Sequence, residues 1–163
     1  MADTISRMFL EKARTQPDVV AQFSKDKDGK YQPTTYGQLL SEIKIVAAGI
    51  LELGVRRGDK VGLIADNRAE WLVTDLALLG LGAADVPRGC DATEQEIRYI
   101  LSWSECRLAF LENDRQLKKV VASRSAIASL STVVMFEAPE AGTKAEAEKA
   151  GLRVLGYSEV SAM

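Results

Sequence analysis

Apolar residues along this chain switch repeatedly between helical spacing and short runs or alternations, the pattern expected of helices laid against strands. Ile5, Met8, Phe9 and Ala13 share one face of a helix that Asp3 or Thr4 can cap and that Pro17–Asp18 ends just after Gln16. Val19, Ala21 and Phe23 then alternate with Val20, Gln22 and Ser24, which predicts a half-buried strand. Asp26-Lys27-Asp28-Gly29-Lys30 supplies turn residues, and the returning strand is expected to close at Pro33. Next, Thr35 caps a helix from Tyr36 to about Leu53, with Leu39, Ile43, Val46 and Ile50 inward and Leu40, Ala47 and Leu51 widening the stripe. Gly54 stands where a left-handed helix terminus is expected.

From residue 60 strands and helices alternate. Strands are predicted at Lys60–Ala65, Ala84–Pro87, Arg107–Leu111, Thr132–Phe136 and Leu152–Gly156. Asn67 with Glu70, and Thr93 with Glu96, have the spacing of capping boxes, the second opening a helix with Ile97, Ile100 and Leu101 inward. Helical segments are expected near 114–128 and 143–150, with Ala138–Thr143 as a surface loop and Thr143 as an N-cap. This rhythm predicts an α/β fold: a mostly parallel sheet with helices on both faces, preceded by a helix and a β-hairpin. The organisation expected is one unit over 1–163, with the helix and hairpin in 1–35 and the βαβ core in 36–163.

Composition narrows the possibilities. The 163 residues are 47% hydrophobic and 27% charged, enough apolar mass for a core. A net charge of −2 and scattered basic pairs such as Arg56–Arg57 and Lys118–Lys119 argue against nucleic acid as a partner. Cys90 and Cys106 form no C-x-x-C pair, which fits a reducing cytoplasm. No apolar run reaches the ~18–20 residues of a membrane span, and the first residues lack the basic-then-apolar order of a signal peptide. The chain has no histidine, so triads and metal sites that need one are excluded within it.

Four stretches invite a chemical reading. Gly80-Leu81-Gly82 has two glycines of a dinucleotide fingerprint, but Asp85 holds the third position and the glycines follow a helix; a helix terminus explains them. Asp26-x-Asp28-Gly29 lacks the glycine and glutamate of a calcium loop, since Tyr31 and Gly37 stand there; it is a hairpin turn. Ala141-Gly142-Thr143-Lys144 lacks the frame of a phosphate-binding loop. Glu94 and Glu96 sit on a first helical turn, where capping and the macrodipole account for them. Trp71, on a nearly all-apolar helix, is expected in the core. The residues alone therefore assign no catalytic, cofactor-binding or metal-binding position.

Taken in order, several segments resemble the AMP-forming acyl-CoA synthetases, members of the adenylate-forming ligases. Thr34-Thr35-Tyr36-Gly37-Gln38-Leu39 is similar to their first core motif, and Gly54-Val55-x-x-Gly58-Asp59-x-Val61-Gly62-Leu63 to their turn into a central strand. Asn67-Arg68-Ala69-Glu70-Trp71 resembles a segment frequent among fatty acyl members. Leu78 to Pro87 resembles the second core motif, and the stretch from Asp91 to Leu101, followed by Ser104-Glu105, is likewise similar. The chain departs at Trp103, where many relatives carry histidine, and it lacks the phosphate loop ending in Pro-Lys-Gly and the later catalytic motifs. The resemblance implies the N-terminal scaffold of a long-chain fatty acid–CoA ligase. Such an enzyme uses ATP, Mg and coenzyme A, whereas this portion alone is expected to be inactive and to bind no cofactor. Its expected partners are the remainder of the synthetase chain, with fatty acid, ATP and CoA for the whole enzyme, and self-association through apolar surface. The expected location is cytoplasmic, with membrane association of the full-length enzyme. Two alternatives stay open: a sister enzyme adenylating another carboxylic acid, and a stand-alone non-catalytic interaction module.

Overall fold

A computed structural model describes residues 4–26 and 28–163. Helix α1 (Ile5–Thr15) is capped by the Thr4 side chain, which accepts from the Arg7 amide; Asp3, the alternative cap, lies outside the described residues. The antiparallel hairpin β1 (Val20–Lys25) and β2 (Tyr31–Thr35) follows. Its turn is held by Asp26 Oδ1, which accepts from the amides of Asp28 and Lys30, both at 2.9 Å. Thr35 and Gln38 form a reciprocal capping box that starts α2 (Tyr36–Glu52).

The remaining elements are β3 (Lys60–Ile64), α3 (Ala69–Leu81), β4 (Ala84–Arg88), α4 (Glu94–Trp103), β5 (Leu108–Leu111), α5 (Asp114–Ala122), β6 (Thr132–Met135), α6 (Ala141–Lys149), β7 (Arg153–Gly156) and α7 (Tyr157–Val160). The five strands pair in parallel in the order β4-β3-β5-β6-β7. Successive side chains of a strand point to opposite faces, and here that divides the interior in two. Val61, Leu63, Leu108, Phe110, Val134 and Leu155 join α2, α3 and α7 in one apolar core. Ile64, Ala109, Leu111, Val133, Met135 and Val154 join α4, α5 and α6 in the other. The helices thus cover both faces, as the βαβ rhythm predicts.

Several expectations need correction. Ile5 and Met8 are exposed, so α1 buries only Ala13 fully and packs Phe9 against the core. Phe23 is 62% exposed: the irregularity between Val20 and Gln22 shifts the alternation, and the hairpin turns its polar side inward. Pro33 does not close β2 but sits within it opposite Phe23, tolerable because β2 pairs only with β1. Asn67 and Glu70 form no capping box; Arg68 is the N-cap of α3, without a side-chain cap, and Glu70 turns to its guanidinium. A bond between two ionised groups outweighs a neutral cap. Thr143 lies inside α6, buried, because that helix already begins at Ala141. The 114–128 segment breaks after Ala122 into a 3₁₀ turn, Arg124–Ala126. The short α7 was not expected, being a single turn with no periodicity to read.

Gly82, by contrast, ends α3 with φ of +75°, the left-handed terminus foreseen for the Gly80-Leu81-Gly82 stretch. Gly49 marks where α2 and α7 meet: a Cβ there would stand 2.0 Å from the Val160 carbonyl oxygen. Gly49→Ala is therefore expected to cost about 1–3 kcal/mol of stability in urea unfolding, by forcing α7 away from α2.

A second expectation concerns Asp75 on α3. Burial first, then the neighbouring carboxylate Asp85, pushes its carboxyl up to about 6. The folded state thus holds this proton more tightly than the unfolded chain, so stability is lost as pH rises from about 4 through that value. Asp75→Asn should raise the thermal midpoint at pH 7.5, and the gain should shrink towards pH about 4.

Candidate functional site

In an open parallel sheet, ligands gather outside the carboxyl ends of the strands, where neighbouring connections leave in opposite directions. Here that place lies between β3 and β5, because the chain passes from β3 to β4 on one side and then crosses to β5 on the other. Five segments converge on this end of the sheet: Ala65–Arg68 after β3, Gly89–Asp91 after β4, Glu112–Asn113 after β5, Phe136–Glu137 after β6 and Tyr157 after β7.

Arg68 fills the crevice. Its Nη1 donates to Glu112 Oε1 at 2.8 Å and reaches Glu137 Oε1 at 3.5 Å, while Nε and Nη2 grip Glu70 at 2.9 and 3.3 Å. The guanidinium carbon lies 5.2 Å from the centre of the Phe136 ring, an attraction between a cation and a π-face. Phe136 in turn packs against Phe110 and Tyr157, with ring centres 5.8 and 5.2 Å away. Glu112 spends its other oxygen on the Asp66 amide at 3.2 Å. One side chain therefore ties together the segments after β3, β5 and β6.

Electrostatics follow from this arrangement. Burial opposes charge on both Arg68 and Glu70, yet their mutual bond prevails: the guanidinium is held above its ordinary range and the Glu70 carboxyl below it. Burial pushes the Tyr157 phenol up to about 12, against a hydrogen bond with Thr74. It also pushes both thiols up to about 11, helped at Cys90 by the carboxylates of Asp66 and Glu112. Neither cysteine is a thiolate at neutral pH, so neither is an activated nucleophile. Cys106 is, moreover, fully buried under α4.

Beside the crevice an open groove of about 670 Å³ runs between the segment after β3 and the end of β4, lined by Asp66, Asn67, Trp71, Pro87, Arg88 and Gly89. Trp71 is half-buried, one side against the core and the other on this groove, so the expectation of a core tryptophan is only partly met. The two ionised residues of the groove are already engaged. Asp66 Oδ1 accepts from the Cys90 amide at 2.8 Å, and Arg88 Nη2 donates to Glu96 Oε1 at 2.7 Å. The Thr93 amide and hydroxyl with Arg88 hold the Glu96 carboxyl down to about 2. The 90–92 segment is pinned from α5: buried Gln116 donates to the Cys90 carbonyl at 3.2 Å, and Lys119 to the Ala92 carbonyl at 2.6 Å. A smaller cavity of about 310 Å³ lies at the opposite, amino end of the sheet, near Lys60, Glu105 and Arg107.

Glu70, Glu112 and Glu137 gather about Arg68, whose Nε, Nη1 and Nη2 all donate to carboxylate oxygens. Among the described residues, no group of three or more His, Cys, Asp or Glu is positioned to hold a metal ion. The arrangement ties the segments after β3, β5 and β6 together.

Sequence reasoning missed this network. Arg68 enters the sequence reading only as part of a motif, and Glu112 and Glu137 carry no signal there, although each stands one residue beyond a predicted strand. Arg68→Met is expected to leave Glu112 without its charged partner and to cost about 1–3 kcal/mol in chemical unfolding. Glu112→Gln in the same chain should recover part of the loss. The depressed Glu70 carboxyl contributes stability above pH about 4.3, lost as pH falls through its folded value, so the deficit should narrow in acid.

Comparison with known proteins extends the reading. The sequence profile of AMP-binding enzymes, described as "AMP-binding enzyme", matches residues 9–157. Long-chain-fatty-acid–CoA ligase FadD15 of Mycobacterium tuberculosis is 29% identical over 134 residues, which are 82% of this chain and 22% of that protein. The chloroplastic long-chain-fatty-acid–[acyl-carrier-protein] ligase AEE15 of Arabidopsis thaliana is 32% identical over 124 residues, 76% of this chain and 16% of that protein. Among solved structures, the anthranilate CoA ligase AuaEII in complex with anthranoyl-AMP superposes with a TM-score of 0.79 at 22% identity, across 96% of this chain and 27% of its own. The adenylation domain of a carboxylate reductase from Mycobacterium chelonae gives 0.80 at 19% identity, across 98% of this chain and 28% of that one. At such identities the structural likeness shows the fold. The chain spans about a fifth of the length of the curated relatives it matches. With the profile matching nearly the whole sequence, the chain belongs to the AMP-binding enzyme family, the adenylate-forming ligases, and carries one part of their adenylation domain.

Proposed function

We propose that this chain is the scaffold portion of an ATP-dependent long-chain fatty acid–CoA ligase. The observation that carries the reading is the run of relatives named as long-chain fatty acid ligases, matched over about four fifths of this chain. In the reaction proposed for the whole enzyme, a fatty carboxylate attacks the α-phosphorus of ATP and pyrophosphate leaves. The thiol of coenzyme A then displaces AMP from the acyl-adenylate. Mg would offset charge on the phosphates. The residues described above do none of these steps. They hold a five-stranded sheet rigid and close its carboxyl end with Arg68, so that a larger partner portion can build the nucleotide and acyl sites against a fixed frame. The same reading places the chain in the cytoplasm, with the longer enzyme meeting its fatty acid at a membrane.

A second reading, a sister enzyme that adenylates another carboxylic acid, is favoured by structural neighbours that include an anthranilate CoA ligase and carboxylate reductases. The residues that choose the acid are not among those assigned here.

Taken alone, the 163-residue chain is expected to show no saturable heat of binding with MgATP and no fatty-acid-dependent ATP–pyrophosphate exchange above background. Micromolar ATP binding in calorimetry, or exchange that survives rigorous purification, would put the nucleotide site within these residues and defeat the scaffold reading.

A further inference from the structure

Two adjacent lysines on α5 do different things. Lys118 turns outward to Asp114 and Glu140, at 2.7 and 3.3 Å. Lys119, half-buried, turns the other way, towards the segment that follows β4. Its Nζ donates to the Ala92 carbonyl at 2.6 Å, to Gln116 Oε1 at 3.1 Å and to the Cys90 carbonyl at 3.3 Å. Among the described residues it forms no ion pair. An ammonium has three N–H donors, and here they meet three neutral oxygens. Those oxygens are fixed from behind. Gln116 is fully buried, and its Nε2 donates to the Cys90 carbonyl at 3.2 Å, which leaves Oε1 for Lys119. Ala92 is fully buried too. The Cys90 amide is held by Asp66 Oδ1 at 2.8 Å, and the Ala92 amide by the Gly89 carbonyl at 3.2 Å.

We infer that these three oxygens form a site for a small monovalent cation, and that the Lys119 ammonium is its tethered occupant. Carbonyl oxygens with no carboxylate among them are the donor set that replaces the water shell of potassium. A divalent ion, by contrast, is held with the help of carboxylates. The lone pairs converge in a half-buried space, where leaving them without a positive partner is costlier than in water. The turn they belong to starts at Gly89, which lines the groove beside Asp66, Asn67 and Trp71. Lys119 is thus a positioning residue for that wall: the turn keeps its shape only while a positive charge stands among its carbonyls. This inference does not rest on the proposed enzymatic role.

Hydrogen exchange of the Cys90 and Ala92 amides in the purified chain tests it, with the Leu63 amide in central strand β3 as internal reference. In Lys119→Ala, which empties the site, both amides should exchange about tenfold faster while Leu63 is unchanged. Potassium or methylammonium chloride should restore the protection. Tetramethylammonium chloride, whose cation is too large for the site, should not do so at the same ionic strength. In Lys119→Met, which fills the space with an apolar chain, the loss should persist in every salt. Unchanged exchange in Lys119→Ala overturns the inference, because the turn then needs no charge. A loss that neither small cation repairs, or that all three salts repair alike, overturns it as well. If Leu63 also loses protection, the same salts decide: recovery specific to the small cations supports the site, and any other pattern defeats it.

Discussion

A parallel sheet has to be covered on both faces, and most of what is seen here follows from meeting that demand with short connections. The central strands β3, β5 and β6 are apolar almost end to end, because each residue meets a helix on one side or the other. Gly62 shows how tight the cover is: a Cβ on it would come within 2.6 Å of Leu101 on α4 and 3.0 Å of the Ala109 Cβ on β5. With its sides sealed, the sheet can meet the rest of the world only at its ends and at its outer strands. Polar residues collect there for want of anywhere else to go.

The carboxyl end carries the burden of that polarity. Three glutamates and one arginine compete for a half-buried space, and the arginine resolves the repulsion by contacting all three. A cluster of this kind is worth more for geometry than for stability, since desolvation offsets much of the attraction between its members. It fixes where the segments after β3, β5 and β6 leave the sheet. The fold that it braces is shared with solved aryl and fatty acid CoA ligases.

Much of the architecture was legible because it depends on local rules. The Thr35 cap, the Thr93 box, the left-handed glycine after α3 and the alternation of strands with helices each need only a few neighbouring residues to be recognised. What escaped depends on residues far apart. Glu70 forsook its cap for an arginine two positions away because that arginine is also held by Glu112, 44 residues on. Thr143 lost its terminal role to a helix that starts earlier. Phe23 points outward because one irregular residue reverses the parity of a strand, and periodicity cannot foresee such a slip. The site was the least legible part, since Glu112 and Glu137 belong to no motif and reach Arg68 only because the ends of parallel strands bring them together.

The sulfur of Cys106 has one more consequence. It is sealed beneath α4 and carries a proton at neutral pH, so a thiol-directed reagent can reach it only when that layer lifts. Half-exposed Cys90 sits beyond the end of β4 and can be met without such an opening. The chain therefore contains an internal clock: the lag between the labelling of one cysteine and the other measures how often the α4 side of the sheet comes apart while the molecule as a whole remains folded.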